Sequence, residues 1–360
     1  MTDLDNIEQI RAMDPSNMYN AIFDLPEQMT DAIRLCSIWK LNPDDFSDPR
    51  NFVVAGMGGS AIAGDLARSL LTPSLLVPFS VHRHYILPEY VDDESLVVSS
   101  SYSGNTEETI AATEDALRRK AMIAAISTGG LLKDICELNE VPMCQVPEGL
   151  QPRAALGYSF ACLMLFCEKI GLIKDYEEEL KQTIAGLQKY RDVYIEDNPV
   201  QSNTAKSLAL RLHGKATVIY SGPTLTDGVG WRLKGQICEN GKQLAWVNQF
   251  PEFNHNEIEG WNPRIGDLKD QVAVVILRDA EDMAQIRTRM NVVRDQIKEQ
   301  GVDVVELHSK GKSRTERMFS LIQLGDFASY YLAVLNGVDP TPVTSIEALK
   351  QQMSETRFPS

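Results

Sequence analysis

Short apolar runs alternate along the chain with segments whose apolar positions recur at helical spacing, and this alternation begins twice. Ile22, Leu25, Met29, Ile33 and Leu35 place one apolar face on a helix within residues 14–40, and Asn42-Pro43-Asp44 breaks it. Asn51-Phe52-Val53-Val54-Ala55 then predicts a buried strand and Ser60 to Leu71 a helix. Leu75 to Val81 predicts a second strand, Asp93 to Ser100 a third, Thr106 to Arg119 a helix, Ala121 to Ser127 a fourth strand and Val141 to Val146 a fifth. Residues 151–194 are helical almost throughout in this reading. A second αβ series follows: strands at Ala216 to Tyr220, Gln243 to Val247, Val272 to Leu277 and Val302 to Leu307. Helices are expected at Thr226 to Cys238, Met283 to Gln300, 313–336 and 345–353. Strands alternating with helices imply parallel, doubly wound sheets. Val53-Val54-Ala55-Gly56 matches Val218-Ile219-Tyr220-Ser221-Gly222 in kind, so the halves look like a diverged duplication.

The third strand opens into Ser101-Tyr102-Ser103-Gly104-Asn105-Thr106. Three hydroxyls and free backbone N–H groups at one helix N-terminus suit an anion. Helix capping needs only one such hydroxyl, so a functional reading outweighs a capping one. Gly56-Met57-Gly58-Gly59-Ser60 is a second loop of this kind, between the first strand and its helix. Together they suggest a phosphate cradle without a Walker lysine, and a small phosphorylated ligand. Gly56-x-Gly58-x-x-Ala61 also fits a dinucleotide fingerprint, but Ser80-Val81-His82-Arg83-His84 carries no ribose-binding carboxylate at the end of the next strand. The corresponding loop of the second half, Arg278-Asp279-Ala280-Glu281-Asp282, is acidic and lacks hydroxyls, so one phosphate site per chain is expected.

Composition narrows the partners. The chain has 360 residues, enough for two domains with full cores, and a formal net charge of −15. That charge argues against a nucleic-acid partner, and an anionic substrate must be captured locally. Six cysteines show no CxxC pair and no zinc-like spacing with histidine, which points to a reducing, cytoplasmic setting. Cys162 and Cys167 fall within an apolar helical run, as small core residues do. The acidic N-terminal stretch has no apolar signal-peptide core, and Tyr158 to Cys167 is too short to span a bilayer, so no membrane partner is expected.

Several segments carry a family resemblance. Ser101-Tyr102-Ser103-Gly104-Asn105-Thr106-Glu107-Glu108-Thr109 resembles the phosphosugar-binding loop of sugar isomerase (SIS) domains, and Gly56-Met57-Gly58-Gly59-Ser60-Ala61 fits the same fold's first loop. Gln151 to Tyr158, Gln236 to Lys242, Pro251 to Ile258 and Asp339 to Val343 resemble the bifunctional phosphoglucose/phosphomannose isomerases, in family order and over nearly the whole chain. The resemblance implies an α/β fold with two SIS-type αβα sandwich domains, each on a doubly wound parallel sheet, plus linking and C-terminal helices. The expected division is an N-terminal helical segment (1–40), a first SIS domain (41–150), linking helices (151–200) and a second SIS domain with its C-terminal helix (201–360).

The same resemblance implies conversion of glucose 6-phosphate and mannose 6-phosphate to fructose 6-phosphate through an enediolate, with no metal and no cofactor. Gly59, Ser60, Ser101, Ser103 and Thr106 would hold the phosphate. Glu239, in Glu239-Asn240-Gly241-Lys242, would be the base, and Arg153 would stabilise the enediolate and bind substrate. His255 and Lys350 would serve in ring opening. His255 would come from the partner subunit of a homodimer. Lone glutamates, histidines and helix-face lysines are more often structural, so these assignments rest on motif context. Thr341 and Thr344 are both candidates for tolerating the C2 epimers. One departure is Cys238, where the family pattern has Asn, next to the presumed base. A non-catalytic sugar-phosphate-binding SIS regulator and an aminosugar-phosphate isomerase are the rival readings. The first would usually carry a DNA-binding helix-turn-helix, and the second an amidotransferase domain.

Overall fold

The computed structural model describes residues 3–356, so Met1 and Thr2 of the acidic N-terminal stretch lie outside it. Two parallel sheets form the frame. The first holds β1 (Asn51–Gly56), β2 (Phe79–His82), β3 (Ser95–Ser100), β4 (Met122–Ser127) and β5 (Met143–Gln145), in the order β2-β1-β3-β4-β5. The second holds β6 (Ala216–Ser221), β7 (Ala245–Gln249), β8 (Val272–Arg278) and β9 (Asp303–His308), in the order β7-β6-β8-β9. Each order reverses direction beside its first strand, the arrangement in which ligands bind at strand C-termini. Every residue of β1 and β3 is buried, as expected where helices cover both faces of a parallel sheet. This is the α/β architecture anticipated from the alternating pattern.

Helices α1 (Ile7–Ala12), α2 (Met18–Phe23) and α3 (Leu25–Ile38) precede the first sheet. α4 (Gly58–Leu71), α5 (Glu107–Arg118) and α6 (Gly130–Leu138) connect its strands. α7 (Leu156–Lys169), α8 (Tyr176–Tyr194) and α9 (Thr204–Leu212) lead to the second sheet, served by α10 (Asp227–Glu239) and α11 (Ala284–Glu299). α12 (Arg314–Leu335) and α13 (Thr344–Glu355) complete the order. α12 is the one described helix long and apolar enough to cross a membrane, and its apolar stretch is buried within the protein. It packs against α8, α9 and α10, which makes it the spine joining the two sheets' helical layers.

Some boundaries differ from the sequence reading. β2 starts at Phe79, because Pro78 has no N–H to give a ladder and Leu75 to Pro78 bend before it. Residues 151–194 divide into a short 3₁₀ turn (Pro152–Ala154), α7 and α8, with Gly171 in the left-handed region at the break. Residues 14–40 divide into α2 and α3 at Asp24. α1, α6 and α9 are additional helices.

α4 and α10 hold equivalent places, each following the first strand of its series, and they pack against one another. A Cβ on Gly228, in the first turn of α10, would stand 3.1 Å from the Leu66 nitrogen in the second half of α4. The start of α4 and the end of α10 line the same cleft. The helices therefore run antiparallel, with Gly58-Gly59 at the start of one facing Glu239 at the end of the other.

Candidate active site

The cleft between α4 and α10 has a volume of about 500 Å³. Gly58, Gly59, Ile62, Asp65 and Arg68 line one wall, Trp231, Arg232, Gly235 and Glu239 the other, and Arg153 lies between. The antiparallel packing sets the positive N-terminal end of α4 against the negative end of α10.

Arg153 is the fixed point of this site. Its 3₁₀ turn delivers it beneath the Gly58-Gly59 loop, and it is only 2 % exposed. Its Nε donates to Asn240 Oδ1 at 2.7 Å, and its Nη2 donates to the carbonyls of Pro340 (2.8 Å) and Thr341 (2.9 Å). Nη1 stands 3.6 Å from Glu239 Oε2. Burial pushes the guanidinium below its ordinary pKa against the pull of Glu239, and an arginine still keeps its charge. Asn240 is itself buried and donates to Ser329 Oγ at 3.0 Å, which fixes the amide that aims Arg153. Lys242 donates to the carbonyls of Glu239 and of Pro340 (3.2 Å), and burial followed by the neighbouring Arg153 lowers its pKa. Gly59 has a steric reason. A Cβ there would stand 2.7 Å from the Arg153 nitrogen and 2.8 Å from the Pro152 carbonyl carbon.

The two hydroxyl loops are joined. Tyr102 N–H donates to Ser60 Oγ at 2.9 Å, and Ser100 Oγ donates to the Ser60 carbonyl at 3.3 Å. Ser101 Oγ donates to Thr106 Oγ1 at 3.0 Å. Thr106 occupies the N-cap of α5 without a side-chain cap hydrogen bond, which leaves the first N–H groups of that helix uncapped among the described residues. Ser103 is exposed, and its hydroxyl accepts from Asn105 N–H at 3.3 Å. Gly104 has φ of +67°, and a Cβ there would collide with the Gly129 carbonyl at 1.7 Å. Ser60, Ser101 and Thr106 thus converge, with Ser103 at the rim, and Gly59 joins this cradle to Arg153 and Glu239.

In the second series the equivalent loop is closed by its own charges. Asp279 accepts from Arg317 Nε at 3.0 Å and from Ser309 Oγ, and Asp282 accepts from Asp279 N–H at 2.8 Å. Arg83 pairs with Asp65.

His255 and Lys350 are not brought into this site. His255 is exposed at the end of a 3₁₀ turn (Glu252–His255) that follows β7. Phe253 is buried against Tyr220 and Phe250, while Glu257 accepts from Tyr220 Oη and from Asn248 Nδ2 at 2.6 Å. These contacts fix the segment at the strand C-termini, near the start of α10, where Gln249 donates to Asp227. Glu239 ends the same helix twelve residues later. At about 1.5 Å per residue the two ends of α10, Asp227 and Glu239, are roughly 18 Å apart along its axis. Lys350 is exposed on α13, which buries none of its described side chains. Thr344 begins that exposed helix, whereas Thr341 has a buried hydroxyl without a partner beside its Arg153-bound carbonyl. The carbonyls of Pro340 and Thr341 escaped the sequence reading because a backbone acceptor leaves no mark on residue type.

Residues 201–353 match the bacterial phospho-glucose isomerase C-terminal SIS domain. A bifunctional phosphoglucose/phosphomannose isomerase of Caldicellulosiruptor bescii is 42% identical over 341 residues, covering 94% of this chain and all of that one. The chain belongs to the bifunctional phosphoglucose/phosphomannose isomerase family. A more distant relative, a D-glucosamine-6-phosphate 4-epimerase of Sulfolobus acidocaldarius, is 32% identical over 64% of this chain and 69% of its own. The fold matches the crystal structure of a hypothetical protein from Thermus thermophilus, with a TM-score of 0.76 and 17% identity over 97% of this chain and 93% of that one. That likeness supports the two-sheet SIS architecture.

Proposed function

We propose that this chain interconverts glucose 6-phosphate and mannose 6-phosphate with fructose 6-phosphate, as a cytoplasmic homodimer. The observation that carries the chemistry is the Arg153–Glu239 pair at 3.6 Å beside the Gly58-Gly59 loop. The hydroxyl cradle and the open N-terminus of α5 bind the phosphate. The sugar then extends towards Arg153. Glu239, as carboxylate, removes the proton from C2 of the aldose; the C–H electrons form the C1–C2 double bond and the carbonyl pair moves onto O1, giving an enediolate. The proton on O2 then passes to O1, and the same carboxyl returns its proton at C1 as C2–O2 becomes the carbonyl of the ketose. Arg153 faces the charge that develops on oxygen, held in place by Asn240 and two carbonyls before substrate arrives. No step calls for a redox partner, and the guanidinium supplies the charge stabilisation a metal would otherwise offer. Ring opening falls to His255 of a second copy and to Lys350, on an exposed helix that follows the Thr341 carbonyl bound by Arg153.

Fructose 6-phosphate formation from each aldose phosphate in EDTA tests this reading, with glucosamine 6-phosphate run in parallel because of the epimerase relative. Turnover of both hexose phosphates, unaffected by EDTA, is expected. Turnover of the aminosugar alone would move the substrate class, no turnover would leave a binding protein, and loss in EDTA would sink the metal-free mechanism.

A further inference from the structure

Three of the six cysteines meet in space although their sequence spacing gives no sign of it. Cys36 comes from the last turns of α3, Cys144 from β5 and Cys162 from α7. Their sulfurs all lie within 4.8 Å of one another, with Cys144 Sγ and Cys162 Sγ 3.6 Å apart. They are 6 %, 2 % and 0 % exposed. Outside this cluster Cys136 and Cys167 are buried singly. Packing alone would scatter small apolar cysteines through a core, as it does those two. Here, three separate elements aim a sulfur at one point.

We propose that this triangle is a binding site for a soft monovalent d¹⁰ ion, Cu(I) in the first instance. Thiolate sulfur selects Cu(I), Zn²⁺ and iron–sulfur clusters. A closed zinc site would need a fourth donor, and among the described residues no other His, Cys, Asp or Glu joins the group. Cu(I) accepts three sulfurs. Charge also favours it. Lys169 donates to the carbonyls of Cys36 (3.1 Å) and Trp39 (2.5 Å), so an ammonium already lies at the edge of the cluster. Cu(I) with two thiolates, one thiol and this ammonium sums to zero, which a buried site requires. Loading forms three copper–sulfur bonds and releases two protons to solvent.

The position gives the ion a consequence. Residues 146–155, which carry Arg153, run from β5 to α7, so Cys144 and Cys162 lie in the two elements that flank that segment. α3 holds the same segment from the side, where Gln28 donates to the Ala154 carbonyl at 2.8 Å and accepts from Gly157 N–H at 3.1 Å. An ion on the three sulfurs clips together the supports of Arg153 without touching the cleft.

The test is anaerobic titration of the full chain with Cu(I) against a competing chelator. Wild type and Cys136→Ser retain one copper per chain after desalting, and Tm rises by roughly 2 °C or more. Cys36→Ser, Cys144→Ser and Cys162→Ser each bind at least about tenfold more weakly. X-ray absorption on the loaded wild type, which does not depend on how a variant folds, shows a three-sulfur shell. No retention by wild type, retention unchanged in the three variants, or a shell of fewer sulfurs would overturn the site. So would isolation of the reduced-handled protein with Cys144 and Cys162 joined as a disulfide, since the pair would then be redox partners.

Discussion

Gly59 and Glu239 have different kinds of necessity, and substitution separates them. At Gly59 the requirement is space, because the Pro152-Arg153 backbone fills the place of a Cβ. Gly59→Ala pushes that turn away and moves Arg153 relative to Glu239. Misplacement by about 1 Å costs roughly 100-fold in rate. A fall in kcat/KM of that order is expected, and unchanged kinetics would show that the turn adjusts freely. At Glu239 the requirement is a carboxylate. Glu239→Gln keeps shape and contact with Arg153 but cannot accept a proton, so kcat drops by roughly 10²–10⁴ while substrate Kd, read by calorimetry, changes little. Lost binding would make Glu239 structural instead. The sequence made Ser101 to Thr106 visible because clustered hydroxyls exceed what a helix cap needs. Arg153 needed motif context, and its anchors at Pro340 and Thr341, 187 and 188 residues away, are backbone atoms that no spacing rule reaches.

Elements were legible where burial imposes a period and obscure where capping or proline decides. β1 and β8 are largely apolar runs and β3 carries Leu96-Val97-Val98 between serines, and each is placed by the sequence within two residues of its observed limits. α9 was missed although Asn203 caps it, accepting from Ala205 and Lys206 N–H, because a nine-residue helix gives little periodicity. α6 buries only Leu132 and Cys136, one helical turn apart. The loop after β8 read as acidic, but its role follows from packing: it is a charge lock between β8, β9 and α12. Burial opposes ionisation of Asp279, yet hydrogen bonds from Ser309 and Arg317 outweigh it and hold the carboxyl below its ordinary pKa. A depressed folded-state pKa stabilises fully above the unfolded value of about 4 and is lost as pH falls through the folded one. Tm should therefore fall more steeply below about pH 4 in wild type than in Asp279→Asn, which is already destabilised at neutral pH. Parallel curves would show that the lock does not contribute.

At the scale of the molecule, α10 bears on the proposed homodimer. It holds Glu239 at one end, while at the other end, roughly 18 Å along its axis, Asp227 accepts from Gln249 of β7, the strand that leads into the His255 turn. The proposed dimer draws Glu239 and His255 from different chains. The surface beside them is suited to a second copy: Trp231, Leu244 and Trp246 leave large apolar side chains 49 %, 67 % and 52 % exposed around α10 and β7. In a two-fold dimer the contact is reciprocal, so each site would take Glu239 from one chain and His255 from the other. Two inactive variants then repair one another. Glu239→Gln supplies an intact His255, and His255→Ala supplies an intact Glu239. Co-expressed with different tags and purified through both, the mixed dimer contains one complete site and one doubly defective site, so it should recover about half of wild-type kcat. Each homodimer alone should stay near its own residual rate. If both groups acted within one chain, every site in the mixed dimer would remain defective and no activity would return. Recovery thus reports which chain supplies the histidine, and it does so without requiring either variant to bind substrate differently.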